Sequence, residues 1–93
     1  MTREQELFEY AAGALAEIAA VLGLLKKHHP EEPVIERCIE VEKQLRWYVT
    51  DAKEKLRRNE LTEKDATALA MIVERGMNRM IDIVETEEKP PHP

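Results

Sequence analysis

Ninety-three residues with a formal charge of −5, 43% of them hydrophobic, bound the chain to one domain near the size at which a single core becomes marginal and assembly often assists. The acidic balance lacks the blanket basic character of many nucleic-acid binders. A lone cysteine, Cys38, excludes an internal disulfide, and Met1-Thr-Arg-Glu-Gln-Glu carries no secretory pattern, so a reducing, cytoplasmic setting is expected.

The first helix is expected over about 2–28. Phe8, Ala11, Leu15, Ile18, Leu22 and Leu25 alternate three and four apart, which makes an a/d heptad seam for packing against another helix. Thr2 and Gln5 can form a capping box at its start, and Lys26, Lys27, His28 and His29 stand where the helix dipole favours cations. Between Tyr10 and Leu25 the only charge is Glu17, so the helix is apolar or small on almost every side, a pattern that calls for burial all round. Two further helices cannot surround it, and the missing cover is expected from a second protein molecule. The run is rich in Ala and Gly and interrupted by Glu17, so it is not read as a membrane span.

Pro30 and Pro33 end that helix and start the next, with Glu31 and Glu32 expected in the new first turn. Helix two is expected over about 32–58. Val34, Cys38, Val41, Leu45, Tyr48, Ala52 and Leu56 mark its apolar face, widened by Ile35, Ile39 and Val49, and Asn59 supplies a residue that tolerates the left-handed conformation just past its end. Helix three is expected over about 62–87. Thr62 and Asp65 make a short capping pair with Leu61 as a hydrophobic staple, and Ala66, Leu69, Val73, Gly76, Met80 and Ile83 continue the three-four alternation. The tail over 89–93, Lys-Pro-Pro-His-Pro, cannot be helical. No period-two strand pattern occurs. The reading is all-α: a single domain over 1–88, folded as an up-down-up bundle of three long helices that self-associates into a larger bundle.

Two features point to binding. Beside its seam, helix one carries a stripe of Ala12, Gly13, Ala16, Ala19, Ala20 and Gly23. Each Gly in a helix costs about 0.5–1 kcal/mol relative to Ala, so two of them suggest that close backbone approach is used. Tyr10, Val21 and Leu24 lie away from the seam and would otherwise face water. The self-association surface is therefore assigned to Tyr10, Gly13, Ala16, Ala20, Val21, Gly23 and Leu24. Complete cover would desolvate Glu17 unless Arg75 or Arg79 reached it. Trp47 falls opposite the apolar face of helix two, among Glu36, Glu40, Lys43, Asp51 and Glu54. A Trp in that position is expected to anchor a protein partner, with Arg46 and Met71 as weaker contributors.

The basic end of helix two supplies an alternative reading as a nucleic-acid-associated regulator through Lys53, Arg57 and Arg58, with Arg46 and Lys55 near by. Interleaved Glu42, Asp51, Glu54 and Glu60, and the lack of a Gly-rich anion loop, set it second. His28, His29, Glu31, Glu32 and Cys38 are metal-ligand types without metal-ligand spacing, so no metal and no cofactor is expected. Cys38 lies on an apolar face as a small hydrophobe, Met71, Met77 and Met80 fill gaps, and no enzyme constellation is present. The expected function is that of an adaptor, assembly subunit or inhibitor acting by macromolecular binding, a class and size also met among phage and mobile-element products.

Overall fold

The computed structural model describes residues 1–88, with side chains described through Thr86; the tail expected over 89–93 lies outside the described residues. Three helices, α1 (Arg3–His28), α2 (Pro33–Arg57) and α3 (Glu63–Glu88), each pack against the other two. Short connections force neighbouring helices antiparallel, and the result is a three-helix all-α bundle. The 26-residue α1 runs about 39 Å at 1.5 Å per residue. A body of 54 × 26 × 17 Å has little depth, so every helix keeps one side toward solvent.

Local chemistry sets the ends. Thr2 Oγ1 accepts from the Gln5 backbone N–H while the Gln5 side chain accepts from the Thr2 N–H, a complete capping box. Thr62 and Asp65 repeat that reciprocity at α3, with the Asp65 N–H donating to Thr62 Oγ1 at 3.0 Å. Asn59 adopts φ 58°; its N–H donates to the Leu56 carbonyl and the Glu60 N–H to the Lys55 carbonyl, the paired bonds of a Schellman ending. Pro33 opens α2, and Glu32 is its N-cap residue rather than part of the first turn, without a side-chain capping bond. The missing proline N–H leaves one fewer donor to satisfy there.

The core has two halves. Leu15, Leu22, Cys38, Val41, Leu45 and Met80 fill one. The other is built on Ala11, Ala52, Leu69 and Val73, with Phe8, Leu61 and Met77 packed around them. Several side chains depart from the expected pattern. Leu25 and Tyr48, both placed on inward seams by periodicity, are exposed, whereas Ile35, placed on a flank, is buried. Leu25 is three residues from the end of α1, where fewer neighbours remain to cover it. Tyr48 stands at the margin of the α2 face, its ring edge-on to Trp47 at 5.1 Å between centroids.

Two further findings concern small and charged residues. Within the chain nothing approaches Gly13 or Gly23, which the sequence reading assigns to self-association: a Cβ built at either would meet nothing within 4 Å. Close approach occurs at Gly76, where a Cβ would lie 2.4 Å from Leu45 Cδ1. Glu42, which the sequence reading interleaves with the basic end, is 2% exposed.

Candidate interaction surfaces

The outer face of α1 is the first candidate. With Ala11, Leu15 and Leu22 turned inward, helical geometry turns Tyr10, Gly13, Ala16, Ala20, Val21, Gly23 and Leu24 outward, and every one of them is exposed. Tyr10 is 62%, Val21 55% and Leu24 60% exposed. Glu17, in their midst, is exposed too, so the bundle alone does not desolvate it. Only 22% of the most apolar 18-residue stretch of α1 is buried. By length and composition, α1 is the one described helix that could cross a membrane, a test that core helices of soluble proteins also pass.

The second candidate lies between α2 and α3, on the side of the triangular bundle away from the outer face of α1. Trp47, 65% exposed, overhangs a depression of about 250 Å³ formed with Tyr48, Asp51, Leu61, Ala68 and Ile72. On its other side Trp47 borders a second shallow depression with Thr50, Lys53 and Arg57. Met71 is exposed but is absent from the lining of both depressions. Tyr48, Leu61, Ala68 and Ile72, none of which the sequence reading groups with Trp47, line that depression. Their clustering required knowing which side of α3 meets α2, and no periodicity within one helix carries that information.

Arg46 has a structural occupation. Its Nη2 donates to both Glu42 carboxylate oxygens at 2.6 and 2.7 Å and its Nε donates at 3.0 Å, while 60% of its side chain stays exposed. The guanidinium thus caps a carboxylate that the bundle has removed from water, and a partner binding Arg46 would have to leave that cap in place.

Part of the basic end of α2 is paired within the helix. Arg57 and Arg58 both pair with Glu54, and Lys55 pairs with Asp51. The Arg57 guanidinium, followed by that of Arg58, holds the Glu54 carboxyl below its ordinary range, and Glu54 raises Arg57 in turn. Phosphate contacts by Arg57 or Arg58 would have to compete with that carboxylate.

An apolar cleft of about 420 Å³ occupies the end of the bundle where Leu22, Leu25, Val34, Ile35 and Val84 meet, with Cys38 at its base. Cys38 is 3% exposed, its Sγ donates toward the Met80 carbonyl at 3.9 Å, and burial pushes its thiol up from the ordinary range. A protonated, covered thiol is a poor nucleophile. His28 and His29 are exposed, and among the described residues no three of His, Cys, Asp and Glu gather where they could hold a metal ion. Compared with known proteins, the chain matches no family model, no curated protein and no solved structure.

Proposed function

We propose that this chain is a small cytoplasmic protein–protein interaction module, an adaptor, assembly subunit or inhibitor that works by macromolecular binding as a homo-oligomer. The observation that carries the reading is the outer face of α1. It presents Tyr10, Val21 and Leu24, each more than half exposed, on a helix whose only charge between Tyr10 and Leu25 is Glu17. Contiguous apolar surface of this kind marks a partner site in soluble proteins. The Trp47 depression supplies the second contact, to a protein partner, since a rigid aromatic beside an apolar floor is the usual composition of an interface anchor.

The test has two parts. Light scattering at tens of micromolar is expected to give a multiple of the 10.8 kDa chain mass, and a monomer there removes the assembly. Trp47 is expected to emit at long wavelength and to be readily quenched in the isolated protein. Trp47→Ala should leave the melting temperature nearly unchanged while costing a partner complex about 2 kcal/mol or more. A blue-shifted emission at every dilution removes the anchor role.

A further inference from the structure

The outer face of α1 carries an order of its own. Glu6, Tyr10, Gly13, Glu17, Ala20, Leu24 and Lys27 follow at alternating spacings of four and three, and all of them are exposed. This is a second heptad seam, turned away from Ala11, Leu15 and Leu22 and left unmatched by the other two helices. Its charges are polarised. Arg3, Glu6 and Glu9 leave one end net acidic, and Lys27 stands at the other. Lys26 is already engaged with Glu36 and the Pro30 carbonyl inside the chain; Lys27 and His28 are exposed.

We infer that a second copy of this chain covers that face, its α1 running antiparallel to the first about a two-fold axis. The inference rests on the proposed self-association and specifies its surface and direction. A parallel copy would set Glu6 against Glu6 and Lys27 against Lys27; an antiparallel copy sets each acidic end near a basic one, and only complementary ends draw the chains together. With a-type positions facing d-type positions, Leu24 lies opposite Gly13, Ala20 opposite Glu17, and Tyr10 along the stem of Lys27. Each large side chain then meets a small or flexible one, and Glu17 meets a methyl group instead of its own copy. Gly13, open in the isolated chain, gains a use as the socket for Leu24. The contact is isologous and closes on itself. It needs about 800 Å² from each partner, a small share of the 6939 Å² the chain exposes.

Disulfide trapping decides the direction. Gly13→Cys and Leu24→Cys chains are made separately; Gly13 has open space for the side chain, and the buried Cys38 stays out of mild oxidation. The mixture should give covalent heterodimers several-fold faster than either variant alone gives homodimers. Efficient homodimer trapping by each variant alone means parallel helices and overturns the inference. In sedimentation equilibrium, Leu24→Glu should weaken association by at least about a hundredfold, since both copies of the contact are lost, with the monomer's melting temperature unchanged. Lys27→Glu should weaken it about threefold to tenfold, and adding Glu6→Lys and Glu9→Lys should restore it. An oligomer indifferent to Leu24→Glu overturns this inference and leaves self-association through another surface. A monomer at every concentration overturns both readings. Co-sedimentation of the chain with phosphatidylcholine vesicles in place of self-association assigns the face to lipid and overturns the inference as well.

Discussion

The glycines of α1 and α3 occupy opposite kinds of place. Gly76 is pressed against Leu45 so closely that a Cβ would fall within 3 Å of three of its side-chain carbons. Gly13 and Gly23 face open space. All three weaken their helices by about the same amount, yet only at Gly76 does the bundle itself use the gap. A helical glycine with no occupant in its own chain is a cost without a visible return until something docks there. The inner face of α3 is thus accounted for by the monomer, and the outer face of α1 is not.

Substitutions can break or sharpen that contrast. The largest effect belongs inside: Leu45→Ala should cost about 3 kcal/mol in chemical denaturation, whereas Leu24→Ala, at a concentration where the chain is monomeric, should stay within about 0.5 kcal/mol. Equal losses at the two leucines would mean that the α1 face is covered within one chain. Next comes the capped carboxylate. Removing one partner of a fully buried ion pair costs about 3–5 kcal/mol, but Arg46 is more than half exposed and water can partly replace it. Arg46→Ala should therefore cost about 1–2 kcal/mol after discounting for screening. Glu42→Leu, which removes the charge instead of stranding it, should be near neutral in the same assay.

The glycines follow. Gly76→Ala should destabilise by about 1 kcal/mol or more, because overpacking against Leu45 outweighs the gain in helix propensity. Gly13→Ala should have the opposite sign, stabilising the monomer by about 0.5–1 kcal/mol. Two thermal melts at low concentration compare them, and a shared sign would undo the distinction between inner and outer glycines.

The smallest effect is alkaline. Burial raises the Cys38 thiol above its ordinary value of 9.0, so the folded chain holds a proton there that the unfolded chain releases first. Stability tied to Cys38 is therefore fully present below the unfolded pKa and declines as pH rises from about 9 toward the folded value. Cys38→Ala should remove that decline from the stability profile, and thiol labelling of the native chain should be slow against that of the denatured one.

Local signals were the most legible in the sequence. The capping pairs Thr2/Gln5 and Thr62/Asp65, the left-handed Asn59 and the entry at Pro33 each involve residues within a few positions of one another, and their bonds form wherever the helix begins or ends. The three-four alternation likewise determined Ala11, Leu15, Leu22, Cys38, Val41, Leu45, Leu69, Val73 and Met80 as inward, because helix geometry alone puts them on one side. It also placed Trp47 outward.

Only the tertiary structure decided where two helices meet. It chose Gly76 over Gly13 and Gly23 as the point of close approach, since a stripe of small residues shows where a neighbour could come and not whether one does. It buried Glu42 by closing the bundle over a position at the edge of the α2 face and leaving Arg46 to neutralise it, and it brought Leu61, Ala68 and Ile72 from beyond the α2–α3 turn to the floor beneath Trp47. Margins of an apolar face are the positions that periodicity cannot assign: whether Tyr48 or Ile35 is covered depends on how far the next helix rolls toward it, a rotation set by side-chain packing between helices and absent from the pattern of either one.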